Sequence, residues 1–236
     1  MNIHRVTYNP DKKSCTLYFI GCNFNCVWCY WKEIYRLEGR RNIRFLNTEE
    51  VLALLGRVMP ERVNILSGDP DENEEFMRLP MKLKKSVGCH VGLSTNGYLL
   101  PDLDGVDHVN ISLKAFDDSL HVRYTGRSNK PCFSNLRHIH NKGIGLSASS
   151  VYIPGLIEGD EIERIAGFIA GIDDNIPYRV IGYMKVSGLP FREPDPGEVE
   201  RVSLRAGRYL KNIVFSRSSG EDYTGIIDLF TNYLRK

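Results

Sequence analysis

The sequence predicts an α/β protein whose strands line up in parallel as an open, partial (β/α)6 barrel. Three observations carry this. Six short apolar runs recur along the chain, helical stretches separate them, and each run closes on a turn residue or a polar cluster. The runs are close to continuously apolar, which is the pattern of strands covered on both faces. Alternating strand and helix then calls for right-handed βα crossovers into one parallel sheet. No seventh and eighth run is evident, so the barrel is expected to stay open.

The first run is Thr16–Ile20 (TLYFI), followed by Gly21. Asn47-Thr48-Glu49-Glu50 has the form of a helix start, and Val51, Leu54, Leu55 and Val58 then mark one apolar face. Val63–Leu66 is the second run. Pro70-Asp71-Glu72 opens the next helix, with acids where the helix N-terminus favours them. His90–Ser94 and Val109–Leu113 are the third and fourth runs, and 131–142 is helical. Ile144–Ile153 is the fifth. Residues 160–171 form a helix with Ile162, Ile165, Ala166 and Ile169 at helical spacing. Tyr178–Tyr183 is the sixth run and Glu198–Lys211 the last long helix. The tail, Ser216–Asp222 and an aromatic helix ending at Tyr233-Leu234, is expected to close the open end. The whole of 1–236 reads as a single domain, with its core at about 15–185 and a helical closure at about 186–236.

Composition narrows the function classes. Apolar residues at 42% and charged residues at 25% are ordinary for a soluble protein, and 236 residues can bury a sizeable core. A net charge of +2 gives no support to nucleic acid or an anionic membrane as partner. The N-terminus lacks the apolar centre of a signal peptide, and no stretch approaches the roughly 20 apolar residues of a membrane span. A cytoplasmic protein is the expectation, and its cysteines are expected to be reduced.

In parallel α/β folds the chemistry sits at the C-terminal ends of the strands. The distinctive polar motifs of this chain follow its runs: GCNFNCVWC, SGDP, STNGY, LKAF and YIPG. They are expected to converge on one rim.

Cys22, Cys26 and Cys29 fall within eight residues, the grouping a metal demands. Iron–sulfur clusters are held by thiolates, and this spacing lets one loop serve three irons of a cubane. A fourth nearby cysteine is missing, which would leave one iron open. Structural zinc wants four protein ligands, usually as two separated pairs; His4, Cys15, Cys89 and Cys132 carry no paired motif. A cluster used only for electron transfer normally has four thiolates.

The Cys22-x3-Cys26-x2-Cys29 loop after a first strand ending in Gly21 resembles the radical S-adenosylmethionine (SAM) superfamily, whose fold is a partial TIM-like barrel. The resemblance implies a [4Fe–4S] cluster on the three cysteines and SAM on the unique iron. One electron then cleaves SAM to methionine and a 5′-deoxyadenosyl radical. Trp28 matches the family's aromatic before the third cysteine and is expected beside the adenine. Ser67-Gly68-Asp69-Pro70 stands where the family has Gly-Gly-Glu-Pro, which receives the methionyl amino group. Ser94-Thr95-Asn96-Gly97, Ser112-Leu113-Lys114-Ala115-Phe116, Tyr124-Thr125-Gly126 and Ile153-Pro154-Gly155 extend the likeness to glycyl-radical-enzyme activases, over about 15–185. Asn96 is a candidate for ribose or substrate, although Asn-Gly is also a favoured turn pair. Ser112 is a further candidate SAM contact, and Lys114 would face a SAM or substrate carboxylate. The implied partners are a glycyl-radical enzyme, or another protein, RNA or small-molecule substrate, and a low-potential electron donor such as flavodoxin or ferredoxin.

Two departures stand out. Pyruvate formate-lyase activase-like proteins often carry acids that bind a monovalent cation where this chain has Ser94 and Ser112, so no cation site is expected. Tyr8-Asn9-Pro10-Asp11-Lys12-Lys13 replaces their Asp-Gly-Pro-Gly-like turn, and no insert carries further cysteine clusters. Cys15, Cys89 and Cys132 are expected to be buried, inert thiols. His138 and His140, two apart in a helix, should face different ways. Arg36, Arg40, Arg41 and Arg44 read as a solvated basic loop.

Overall fold

A computed structural model describes residues 2–29, 32, 44–67, 74–186, 188–216 and 225–231. The described elements run β1 (Ile3–Asn9), β2 (Ser14–Phe19), α1 (Thr48–Val58), β3 (Arg62–Ser67), α2 (Glu74–Val87), β4 (His90–Thr95) and β5 (His108–Ser112). They continue α3 (Asp118–Thr125), α4 (Lys130–Asn141), β6 (Gly145–Tyr152), α5 (Gly159–Ala170), β7 (Tyr178–Gly182), α6 (Pro196–Ala206), β8 (Ile213–Ser216) and β9 (Ile227–Thr231). All nine strands join one sheet in the order β8-β7-β6-β5-β4-β3-β2-β1-β9. From β2 to β8 every neighbour is parallel. The partial barrel is therefore present.

The strand count is larger than six. β8 adds a seventh parallel strand beyond β7, and at the other edge β1 runs antiparallel to both β2 and β9. Among its described residues the C-terminal segment is helical only in part. After α6 it supplies two strands, and Ile227–Thr231 extends along β1, where an aromatic helix was expected. Residues 232–236, with Tyr233 and Leu234, lie outside the described residues. The β1–β9 pairing is reinforced by Arg5, whose Nε donates to Asp228 Oδ1 at 2.7 Å. Such a pairing joins residues more than two hundred positions apart, so no local pattern announces it.

Local chemistry accounts for the helices. Asn47 and Glu50 form a reciprocal capping box at the start of α1, while Val51 and Leu55 turn into the core. Pro196 at the first turn and an Asp195–Glu198 capping box start α6. α5 buries Ile162, Ile165, Ala166 and Ile169 as their spacing requires. Each fully buried isoleucine contributes roughly 2–3 kcal/mol by leaving water. The short helix α3 has no such stripe: Val122 is exposed while His121, Tyr124 and Thr125 are buried.

The strands are not apolar on both faces. Val109 and Ile111 of β5 are fully buried, but His108, Asn110 and Ser112 between them are half-buried. Asn110 exchanges hydrogen bonds with Ser149 and Ser147 on β6, both at 3.2 Å, and the His108 Nε2 lies 2.9 Å from Ser147 Oγ. A Cβ on Gly92 would meet Asn64 Oδ1 at 2.9 Å. One face of the sheet is thus lined by polar side chains, and the other packs against helices. No described helix is long and apolar enough to cross a membrane.

Candidate active site

The cysteine loop leaves β2 through Gly21, whose φ of +105° lies where a side chain would be strained. Cys22 is exposed, Asn23 and Phe24 are buried, and Cys26, Trp28 and Cys29 are half-buried. All six cysteines of the chain are free thiols.

Three elements hold this loop. From α3, the carbonyls of Thr125 and Tyr124 accept the backbone N–H groups of Asn25 at 2.7 Å and Val27 at 3.0 Å. Phe24 wedges edge-on between Tyr98 and His121, at centroid distances of 5.5 and 5.3 Å. From the end of β4, the Asn96 side-chain amide donates to Asn23 Oδ1 at 2.7 Å and reaches Cys22 Sγ at 3.6 Å. Asn96 Oδ1 accepts from the Tyr98 N–H at 2.8 Å, so this residue also makes the turn its Asn-Gly pair implied.

Trp28 stacks on Tyr124 at 5.6 Å and meets Tyr183 edge-on at 5.1 Å. Tyr183 follows β7 and Tyr124 lies on α3, so the aromatic group draws on the segments after β5 and β7. The Trp28 Nε1 and the Asn23 Nδ2 are buried donors with no acceptor among the described residues. Burial pushes the Cys26 thiol up to about 11; the positive charge of Lys114 opposes that, and the neighbouring Cys22 and Cys29 add to it. Lys114 thus contributes positive charge at the loop. Its Nζ donates to Ser112 Oγ at 2.6 Å.

The backbone beneath Lys114 is fixed by groups the sequence did not single out. Glu161, on α5, accepts the N–H groups of Phe116 at 2.7 Å and Asp117 at 2.9 Å through Oε2. Asn129 Nδ2 donates to the carbonyls of Ala115 and Phe116. Two acceptors and two donors lock the β5–α3 corner. Tyr124, Asn23 and Glu161 carry no local signal of these roles, because their partners come from other strands and helices.

The structure brings together Cys22, Cys26, Cys29, Trp28, Asn96, Ser112 and Lys114. Ser67 ends β3 with its backbone in register with Phe19, the last residue before the cysteine loop. Gly68 and Asp69 lie outside the described residues. Cys15, Cys89 and Cys132 are buried in the hydrophobic core, and burial pushes the Cys15 thiol up to about 12. Ser94 is in register with Asn110, and Ser112 lies two residues further along β5.

Three thiols on one loop can each serve a different iron of a cubane. Among the described residues, no three His, Cys, Asp or Glu side chains gather tightly enough to hold one metal ion. A mononuclear site draws its ligands around one centre, whereas a cubane takes each thiolate on a different iron. Two orphaned buried donors and a lysine beside the thiols suit an anionic group carrying acceptors.

Residues 17–169 match the model of the radical SAM superfamily, and the chain belongs to that family. It is a radical SAM enzyme, of a family that binds an iron–sulfur cluster and SAM. Over 210 residues it is 33% identical to a protein of Methanocaldococcus jannaschii provisionally named a glycyl-radical enzyme activating enzyme, covering 84% of this chain and 78% of that one. It is 26% identical over 189 residues to the pyruvate formate-lyase-activating enzyme of Clostridium pasteurianum, covering 73% and 78%. Among solved structures, a radical SAM methyltransferase from Sphaerobacter thermophilus superposes with a TM-score of 0.68 at 18% identity, over 91% of this chain and 69% of that one, and so shares the fold.

Proposed function

We propose that Cys22, Cys26 and Cys29 hold a [4Fe–4S] cluster that binds SAM, and that the enzyme activates a glycyl-radical enzyme by abstracting hydrogen from a backbone glycine. The observation that carries this is the loop itself. Three thiols share one loop, Lys114 stands beside them, and the chain's other three thiols sit in the core. When bound, the cluster supplies one electron to split SAM into methionine and a 5′-deoxyadenosyl radical.

The protein's part is to position and shield. Asn96 holds Cys22 and Asn23 in place, and α3 holds Asn25 and Val27. Lys114 offsets the negative charge of thiolate and ligand carboxylate, with Ser112 orienting its ammonium. Trp28, backed by Tyr124 and Tyr183, offers a buried ring and a free N–H to the adenine. Ser67, Gly68 and Asp69 are assigned to the methionyl end of SAM. The relatives named as activating enzymes support a backbone glycine as the target.

The test is direct. Anaerobically reconstituted protein, reduced with dithionite, is expected to release methionine and 5′-deoxyadenosine from SAM, and Cys26→Ala is expected to release neither. Normal cleavage by Cys26→Ala overturns the cluster assignment. A glycyl-radical resonance on a co-expressed partner establishes the substrate; its absence beside active SAM cleavage moves the substrate to another protein, RNA or small molecule.

A further inference from the structure

We propose that the outer side of the cysteine loop, together with α3, is the docking face for an acidic one-electron carrier protein. This inference rests on the cluster assignment above. Val27, between two of the cysteines, is 51% exposed, and Val122 on α3 is 45% exposed. The two segments are joined directly, since the Val27 and Asn25 N–H groups bond to the carbonyls of Tyr124 and Thr125. Apolar surface is therefore presented at the point where the chain between two cluster ligands reaches solvent.

Among the described residues, the exposed charges around it are basic. Lys32, Arg123, Arg127 and Lys130 are all exposed. Among the described residues Lys32 bonds the neutral Asn25 Oδ1 and Arg127 lies over the Tyr98 ring at 5.6 Å, so neither has an acidic partner there. Arg123 has no acidic partner among the described residues. The nearby acids are turned to local duties: Asp118 accepts from Ser128 and Asn129, each at 2.8 Å, and Asp117 caps α3 through the Leu120 N–H. A small apolar centre with a charged rim is the make-up of transient redox interfaces, which bury little area. A basic rim selects an acidic partner and speeds its encounter.

The electron balance is simple. The carrier's reduced cofactor gives up one electron and the oxidised cluster accepts it; no proton or leaving group moves. Position favours this face, because exposed Val27 is covalently between two of the proposed ligands.

The experiment uses reconstituted holoprotein and reduced flavodoxin as the carrier, following the visible bleaching of the cluster. The variant Arg123→Glu/Arg127→Glu is compared with Arg57→Glu/Lys85→Glu, which makes the same charge change on α1 and α2. The first is expected to lower the flavodoxin-driven rate about tenfold or more and to weaken its salt dependence. Reduction of that variant by dithionite is expected to match the parent, and the second variant is expected to behave as the parent with both reductants. Equal flavodoxin rates in the first variant and the parent overturn the proposal, as does an equal slowing with both reductants. A parent protein that forms no dithionite-reducible cluster overturns the cluster assignment instead, and is recognised before any variant is made.

Discussion

Asn96 and Cys22, 74 positions apart, meet where the end of β4 reaches the cysteine loop: one amide group both approaches the Cys22 sulfur at 3.6 Å and donates to the adjoining Asn23 at 2.7 Å. Asn96→Asp keeps the acceptor for the Tyr98 N–H, removes the donor, and sets a negative charge beside the thiols. We predict that this variant folds but loses iron to a chelator several-fold faster than the parent, measured by absorbance after reconstitution. Unchanged iron retention would remove Asn96 from the loop's support.

Glu161 gives a prediction about stability. One oxygen of its carboxylate satisfies two partly buried N–H groups, and the other accepts from Arg164 at 2.7 Å. Glu161→Ala leaves both donors unpaired and is expected to cost about 2–3 kcal/mol in urea unfolding of the apoprotein, with Glu161→Gln recovering part of it. A loss within experimental error of zero contradicts this account of the corner.

A pH dependence follows from the histidines. Burial, with Arg5 adding, depresses His4 from the ordinary histidine value of 6.5 to about 4. Burial depresses His108 and His121 as well. As pH falls below 6.5 the unfolded chain takes up protons that the folded chain refuses, so stability declines until the folded group titrates. For His4 alone the loss reaches about 3 kcal/mol by pH 4. His4→Gln is expected to flatten unfolding free energy between pH 6.5 and 4, and an unchanged slope would refute it.

The pair Ser94 and Ser112 predicts indifference to potassium. Neither residue carries charge, and the Lys114 ammonium already lies 2.6 Å from Ser112 Oγ, where it would repel a cation. Cleavage of SAM by the dithionite-reduced enzyme should proceed at the same rate in potassium and tetramethylammonium salts. A several-fold rise with potassium refutes the assignment.

How much of this was legible in sequence depends on range. β2 to β7 stand within two residues of their apolar runs, because Val63, Val91, Val109 and Val180 must each enter the core. Gly97 was readable as a turn, and its φ of +75° agrees; a Cβ there would also press on Ile111 Cγ2 at 3.0 Å. β1 was not legible, since Ile3–Asn9 interleaves His, Arg and Thr with its apolar residues. β9 needs β1 as partner, and α3 is too short to show a stripe. At the site, the three cysteines could be read from spacing alone. Asn23, Tyr124, Tyr183 and Glu161 could not, because each gains its role from a neighbour distant in the chain.

The placement of the six thiols has a consequence for how the protein ages. Cys15, Cys89 and Cys132 are 0%, 2% and 1% exposed, so oxidants meet only the loop. Air should therefore strip the catalyst and leave the scaffold standing, and the damage should be repairable with iron, sulfide and a thiol reductant. The three sheltered cysteines cannot trap the loop in a wrong disulfide without the core opening first. An enzyme whose chemistry depends on a fragile centre thus confines that fragility to eight residues.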